Sequence, residues 1–217
     1  MDLLDYPQAQ VLLEDAVLTA EGIRDCADHL LTFVQRYLPR FHRTEPRQHA
    51  LTVLQGKLTG LQRKTTEPIA HRVGLKRRPL QLFVGAGGWE DLAVLGELRQ
   101  HVREELGHPD GVFILDGSGF PKKGVESCGV SRQWCGRLGK IDNCQVGVFV
   151  AYAAPRGRAL VDSRLYLPAD WATDRTRRLK TCVPADVTFQ EKWRLSLDLL
   201  DRVRADLPGD WVVADDE

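Results

Sequence analysis

The sequence predicts an α/β fold in which a helical N-terminal region precedes a mixed sheet with flanking helices. Up to about residue 108 the apolar residues recur mainly at helical spacing. From Gly111 onward, short continuous apolar runs are separated by turn residues and by one further amphipathic segment. Adjacent strands followed by a strand–helix–strand unit are typical of a mixed sheet covered by helices. We therefore expect two regions, residues 1–108 and residues 109–217.

The helices of the first region are placed by apolar spacing and by prolines. Pro39 is expected to end the second helix, because its ring removes a backbone donor. Pro68 can open a short helix in its first turn, and Pro79 is expected to close the basic stretch, ahead of a glycine loop at residues 85–88. The predicted helices span residues 8–20, 21–37, 47–64 and 89–106.

The second region is predicted to consist mainly of strands. A buried strand over residues 112–115 is expected to run into a turn at Asp116 and Gly117. A loop is expected at residues 167–171. The remaining strands are predicted at residues 127–135, 146–153, 158–166 and 211–214.

One helix is predicted before the last strand, over residues 188–205, with Thr188 or Asp186 as its cap. Its core-facing side is expected to consist of Trp193, Leu197, Leu200 and Val203. The tryptophans expected in the core are Trp134, Trp171 and Trp193.

Charge is unevenly distributed along a chain that is neutral overall. The formal net charge is zero, but residues 36–78 hold eleven Lys or Arg against two acids, Glu45 and Glu67. The balancing acids lie before residue 30 and after residue 85. A basic block inside a neutral chain predicts a surface that faces a polyanion. The alternative is a solvated basic helix face.

Composition favours an ordinary cytosolic globular protein. Hydrophobic residues make up 43% and charged residues 28% of the chain. Its five cysteines form no CxxC pair, which disfavours a zinc site and favours small thiols in a reducing compartment. The sequence has no charged-then-apolar leader and no apolar run of membrane length, so a cytoplasmic location is expected.

Two predicted strands are followed by aspartate, Asp116 and Asp215. A carboxylate at the carboxyl end of a buried strand lies at the rim of the sheet, where ligands bind in open α/β folds. Two such carboxylates on neighbouring strands offer the hard oxygen ligands that Mg²⁺ prefers. The alternative is that an Asp before Gly simply ends a strand in a turn.

Residues 115–148, LDGSGFPKKGVESCGVSRQWCGRLGKIDNCQVGV, resemble the catalytic opening of DDE-type insertion-sequence transposases, and more narrowly the group called insertion-sequence family seven-oh-one. The stretch over residues 54–70, LQGKLTGLQRKTTEPIA, is similar to the helical region that precedes the core in that family. Further family motifs follow in order at residues 164–168 with Trp171, 183–184, 189–193 and 211–215. The resemblance covers residues 50 to 217, and its several separated motifs make it specific.

The resemblance implies a ribonuclease H-like core that cleaves and transfers DNA strands in transposition, with a two-metal site for Mg²⁺ or Mn²⁺. It carries the first family acid onto Asp116 and the second onto Asp215, with Asp216 as a weaker alternative. The third family acid lies on a later helix and has no counterpart here, since Glu217 follows the second directly. A core truncated after its second acid is expected to be inactive alone.

DNA, as transposon ends and as target, is the partner that the resemblance implies. A homo-oligomer is left open, no membrane is expected, and the location would be the bacterial cytoplasm, on the nucleoid when DNA is bound. The alternative function is a non-catalytic DNA-binding fragment that inhibits transposition. The residues expected to contact DNA are Lys57, Arg63, Lys64, Arg72, Lys76, Arg77, Arg78, Lys122, Lys123, Arg132, Arg137 and Lys140.

Overall fold

The computed structural model describes residues 20–215, and the chain divides into two compact units, residues 1–94 and residues 95–217. The helix predicted over residues 8–20 lies outside the described residues, as do Asp216 and Glu217. The division of function between residues 1–108 and 109–217 stays a prediction.

The first unit is helical through most of its described part. Helix α1 (Ala20–Tyr37) ends before Pro39, as predicted, and a 3₁₀ turn (Leu38–Arg40) follows it. Helix α2 (Thr44–Leu58) begins and ends earlier than predicted. It ends early because both the backbone N–H and the hydroxyl of Thr59 donate to the carbonyl of Gly56. Helix α3 (Thr66–Arg72) begins ahead of Pro68, as predicted.

Helix α4 (Arg77–Ala86) was not predicted, and the glycine loop expected at its end begins later than predicted. Pro79 lies in the first turn of α4, where the backbone nitrogen needs no acceptor within the helix, so the proline does not end the segment. Gly85 lies in the last turn.

A small apolar core holds the first unit together. Ile69 and Ala70 of α3 and Leu80 of α4 are buried against one another, with Val53 of α2 beside them. Gly56 permits this approach, since a Cβ built on it would lie 2.4 Å from Cγ2 of Ile69. The glycine that weakens α2 as an isolated helix therefore lets α2 and α3 pack closely.

The boundary between the units falls within helix α5 (Asp91–Leu106), close to its predicted span. The second unit contains a five-stranded sheet and three further helices. The strands are β1 (Val112–Pro121), β2 (Ser131–Cys135), β3 (Lys140–Ala154), β4 (Gly157–Leu165) and β5 (Trp211–Ala214). The helices are α6 (Ala169–Thr173), α7 (Arg175–Lys180) and α8 (Lys192–Arg204).

Strand β3 is the centre of the sheet. It pairs antiparallel with β1 on one side and with β2 and β4 on the other, and β5 pairs in parallel with the far edge of β1. The antiparallel strands β1, β3 and β4, with helix α8 and then β5 parallel to β1, form the ribonuclease H-like core that the resemblance implies.

Strands β1 and β3 are both longer than predicted, because each pairs with the other over ten residues. β3 has fifteen residues and pairs with all ten residues of β1, so β1 continues past Asp116 to Pro121. The predicted turn at Asp116 and Gly117 is therefore wrong. β2 begins later than predicted, because the N–H of Val130 donates to the carbonyl of Ser127 in a turn.

Several helical details also differ from expectation. The predicted loop at residues 167–171 enters α6, and α7 was not predicted. Asp174 starts α7 by accepting a hydrogen bond from the backbone N–H of Arg177. Helix α8 begins after Glu191, later than either predicted cap. Across residues 20–215, no helix combines the length and apolarity needed to cross a membrane.

The main core of the second unit lies between α8 and the sheet, and two of the four α8 residues predicted to face it, Leu200 and Val203, are buried there. Leu195, Leu199 and Val203 are buried against β1, β3 and β4. Trp193 and Leu197, predicted to face the core, are 62% and 41% exposed. Among the other tryptophans, Trp171 is buried as predicted, whereas Trp134 is 45% exposed.

A buried ion cluster ties α5, β4 and α8 together within the second unit. Asp162 is fully buried; it accepts a hydrogen bond from Arg99 at 3.3 Å and forms an ion pair with Arg202 at 3.4 Å. Nε of Arg99 also donates to Asp206 at 2.5 Å. Each buried charge has an opposite partner, which offsets the loss of its hydration.

Candidate active site at the end of the parallel strands

The structure brings Asp116 and Asp215 together at one edge of the sheet. The parallel pairing of β1 with β5 ends at Leu115 opposite Ala214, and the two aspartates are the next residues along each strand. Backbones of neighbouring strands lie about 4.7–4.9 Å apart, so the two carboxylates start from adjacent positions. Both residues are exposed.

Asp116 and Asp215 line one pocket of about 240 Å³ between the strand ends and the start of α8. Helix α8 contributes Lys192, Trp193 and Ser196 to its wall. A Cβ built on Gly117, next to Asp116, meets no atom within 4 Å, so the pocket is open on that side. A larger pocket of about 470 Å³ is lined by a single acid, Asp186, and lacks such a pair.

The chemistry of this donor set fits a hard divalent cation. Two carboxylates from adjacent backbone positions are the kind of ligands with which Mg²⁺ is held, with water and substrate phosphate completing its shell. Within residues 20–215, no group of three or more His, Cys, Asp or Glu side chains is arranged to hold a metal ion. Asp116 and Asp215 are thus the acidic side chains lining this pocket that could hold such an ion.

Sequence reasoning missed the contribution of α8 to this pocket. Lys192, Trp193 and Ser196 were not predicted as site residues, and Trp193 was assigned to the core. Helix α8 carries large apolar residues on more than one side, so spacing alone does not determine which side faces the sheet. Periodicity gave no signal that would have found them.

The five basic residues predicted for DNA contact in the second unit are exposed and lie outside this pocket. Lys122 and Lys123 follow β1, and Asn143 fixes the backbone there by donating to the carbonyls of Lys122 and Gly124. Arg132 lies on β2 and Arg137 in the 3₁₀ turn after it.

Lys140, the fifth of these residues, is already paired with an acid. Its ammonium lies 2.9 Å from a carboxylate oxygen of Asp142. The hydrogen bond from Lys140, followed by the one from the backbone N–H of Asn143, lowers the pKa of Asp142. A phosphate would have to compete with this carboxylate for Lys140.

The basic residues predicted for DNA contact in the first unit are all exposed. Three of them, Lys76, Arg77 and Arg78, lie at the start of α4, where the helix dipole disfavours positive charge. Arg77 pairs with Glu67 at 3.1 Å. The others are Lys57 at the end of α2, Arg63 and Lys64 before α3, and Arg72 at the end of α3.

The cysteines are free thiols in several environments. Cys135 and Cys144 are buried in the sheet, and burial, followed by the nearby Cys135, raises the pKa of the Cys144 thiol. Cys128 is half-buried, and burial raises its pKa as well. Cys26 and Cys182 are exposed.

Comparison with known proteins agrees with the predicted resemblance. A family model described as DDE superfamily endonuclease matches residues 36–217. A probable transposase for insertion sequence element IS701 from Microchaete diplosiphon is 38% identical over 98 residues, which are 44% of this chain and 25% of that protein. The matched part thus spans about a quarter of the length of that curated relative. No solved structure matches the chain. Since the family model covers most of the sequence, the chain belongs to the DDE superfamily endonucleases.

Proposed function

We propose that this protein acts in DNA transposition, cleaving strands at transposon ends and joining them to target DNA, with Asp116 and Asp215 as metal ligands. The observation that carries the proposal is the position of the two aspartates, next to paired residues of neighbouring parallel strands and in one pocket. The name of the matched relative, a probable transposase, supports the choice of reaction.

In the proposed reaction, a water oxygen attacks a DNA phosphorus and the 3′ oxygen leaves as a 3′-hydroxyl. This 3′-hydroxyl then attacks a phosphorus of the target strand, whose own 3′ oxygen leaves and takes up the proton. Bound Mg²⁺ or Mn²⁺ would supply Lewis-acid stabilisation of the attacking and leaving oxygens. Asp116 and Asp215 would provide negative oxygen ligands from adjacent positions on neighbouring strands. We assign to the Lys192 ammonium the donation of hydrogen bonds to phosphate oxygens at this pocket, whereas the Ser196 hydroxyl donates to the carbonyl of Lys192.

DNA binding by the first unit is proposed from its exposed cations. Lys76, Arg77 and Arg78 crowd positive charge at a helix start where the macrodipole also favours an anion. A DNA phosphate there would relieve both effects. With Lys57, Arg63, Lys64 and Arg72 these residues would form a sequence-independent, salt-sensitive contact.

In the second unit, the proposed DNA contacts are Lys122, Lys123, Arg132, Arg137 and Lys140. Because these residues lie outside the pocket with the aspartates, we propose that they bind phosphates away from the cleaved bond. Their task would be to position the strand rather than to take part in the chemistry.

A second candidate is DNA binding without catalysis, in which the protein occupies transposon ends and inhibits the active enzyme. The observation that favours it is the donor set, since residues 20–215 hold no group of three or more metal-ligating side chains. Both candidates predict salt-dependent DNA binding, and only the first predicts metal-dependent cleavage.

The deciding experiment measures nicking of DNA that carries the transposon ends, with Mg²⁺ or Mn²⁺, using the complete natural polypeptide. We expect nicking that Asp116→Asn and Asp215→Asn abolish while DNA affinity is retained. Asp201→Asn, an exposed α8 acid outside the pocket, is the matched control and should nick normally. Nicking that survives Asp116→Asn would rule out the assigned role, and binding without any nicking would favour the second candidate.

A further inference from the structure

Trp193 is a large aromatic side chain left in solvent beside the two aspartates. It is the second residue of α8, is 62% exposed and lines the same pocket as Asp116 and Asp215. The core-facing positions of α8 are taken by Leu195, Leu199 and Val203, so Trp193 does not contribute to that core. Exposed tryptophan surface is unfavourable in water and is common where a ligand covers it.

The neighbours of Trp193 form a wall with an aromatic, an apolar and a polar part. Leu197 lies one turn further on and is 41% exposed. Lys192 and Ser196, also one turn apart, line the pocket too; the Lys192 ammonium lies 5.9 Å from the centroid of the Tyr166 ring, and the Ser196 hydroxyl donates to the carbonyl of Lys192. Among the ring–ring contacts of residues 20–215, none involves Trp193.

We propose that Trp193 is a stacking platform for an unpaired base of the DNA strand whose phosphate lies at Asp116 and Asp215, with Lys192 beside that phosphate. The proposal rests on the proposed function of this site. A nucleobase has two flat faces, and stacking on an aromatic side chain is tolerant of sequence. A base inside a duplex has both faces covered by its neighbours, so Trp193 selects a base that is unpaired or frayed.

The size and charge of the pocket favour a DNA strand with an unpaired base over other occupants. A pocket of about 240 Å³ is smaller than the roughly 300–1,000 Å³ of sites that enclose a whole small molecule, so it suits one base or phosphate group of a longer strand. An apolar protein segment laid over Trp193 and Leu197 would also cover the adjacent Asp116, and burying a charged carboxylate is costly. A DNA strand brings phosphates that suit both Lys192 and a metal held by the aspartates.

The test compares two DNA ligands of the same sequence, one fully paired and one with a short single-stranded overhang that contains 2-aminopurine. Binding to the full chain is measured in Ca²⁺, with 2-aminopurine fluorescence reporting the stacking of the base. We expect Trp193→Leu to weaken overhang binding by about tenfold, the order that a stacked base contributes, and to abolish the fluorescence change. Trp193→Phe should keep most of the overhang affinity and most of the fluorescence change. Neither variant should alter the affinity for the fully paired ligand.

Trp134→Leu is the matched control, since Trp134 is also exposed but lies on β2 and outside the pocket. Equal behaviour of Trp193→Leu and Trp134→Leu on the overhang would overturn the proposal. A change of oligomeric state in Trp193→Leu, with equal loss of affinity for both ligands, would also overturn it and would identify a protein segment as the cover. An error in the proposed function would be detected separately, because nicking would then persist in Asp116→Asn.

Discussion

Asp116 and Asp215 occupy equivalent positions on two neighbouring parallel strands, each one residue beyond the last pair of the β1–β5 ladder, Leu115 with Ala214. The two aspartates differ in how firmly their strands hold them. β1 continues to Pro121 because β3 pairs with its whole length. The residues before and after Asp116 are therefore both paired with β3. Asp215 directly follows the last residue of β5. In the proposed metal site, Asp116 would therefore be the more firmly held ligand, and Asp215 would approach the ion from a strand end.

Replacing either aspartate by asparagine should weaken divalent-metal binding. Removing groups that merely support metal ligands costs about 10–100-fold in affinity, so we expect at least about tenfold from the loss of a ligand. Binding of Mn²⁺ to the purified chain, followed by electron paramagnetic resonance, provides the measurement. Asp201→Asn should bind as the wild type does. Unchanged Mn²⁺ affinity in both Asp116→Asn and Asp215→Asn would place the metal elsewhere.

Replacing Asp162 by alanine should strongly destabilise the second unit. Its carboxylate is fully buried and holds Arg99 and Arg202 together, so its loss leaves the buried guanidinium of Arg99 with Asp206 alone. Breaking a buried pair in this way costs about 3–5 kcal/mol. Urea denaturation followed by circular dichroism gives the free energy of unfolding.

The comparison variant for Asp162→Ala is Arg156→Ala, which removes an exposed ion pair with Glu105 at 4.0 Å. Its effect should stay below about 1 kcal/mol, the usual limit for exposed pairs. If the two variants had the same free energy of unfolding, the cluster around Asp162 would not stabilise the fold.

The sequence predicted which segments form strands, because apolar runs record burial directly. The predictions for residues 158–166 and 211–214 nearly match β4 and β5, and Asp215 follows its strand as expected. Asp116 lies beside Asp215 at the end of the β1–β5 ladder, as expected, but β1 does not end there. A strand's length depends on its partner, and the apolar run stops at Leu115 while pairing with β3 continues through Gly117 and Gly119.

Helix α8 and helix α4 show what local patterns leave out. In α8, Trp193 and Leu197 fit one amphipathic face and Leu195 and Leu199 fit another, and only packing against the sheet selects the second. In α4, a proline and a glycine suggested a loop, yet both lie in end turns, where a helix tolerates them. The pocket wall formed by α8 therefore required the tertiary structure.

Replacing Gly111 by alanine should destabilise the sheet. A Cβ at this position would lie 2.2 Å from the hydroxyl oxygen of Tyr152. That hydroxyl accepts from the backbone N–H of His108 at 3.0 Å and donates to its carbonyl at 3.2 Å, so the ring cannot move away without breaking both bonds. We expect a loss of about 1–3 kcal/mol, as for other overpacked sites.

The thermal midpoint of Gly111→Ala, measured beside that of Gly124→Ala, tests this reasoning. A Cβ on Gly124 meets no atom within 4 Å, so its substitution should have little steric effect. A Gly111→Ala midpoint as high as that of Gly124→Ala would mean that Tyr152 adjusts freely.

Neutralising the cations at the start of α4 should reduce the salt dependence of DNA binding. Each lost phosphate contact lowers the slope of log affinity against log salt by about 0.9 for duplex DNA. Lys76→Ala and Arg78→Ala are therefore each expected to reduce the slope by close to that amount, whatever the DNA sequence. Arg156→Ala, which removes an exposed cation outside the proposed surface, should leave the slope unchanged. Equal slopes for all three variants would exclude this part of α4 from the DNA contact.

The five thiols should react with iodoacetamide in an order set by exposure and pKa. Cys26 and Cys182 are exposed and should be labelled first. Burial raises the pKa of Cys128, so a smaller fraction is thiolate, the reactive form, and its labelling rate should increase as the pH rises. Cys135 and Cys144 are buried and should react only after unfolding. Mass spectrometry of peptides labelled between pH 7 and pH 9 would measure all five, and labelling of Cys128 as fast as Cys182 at pH 7 would contradict the half-buried environment given to it.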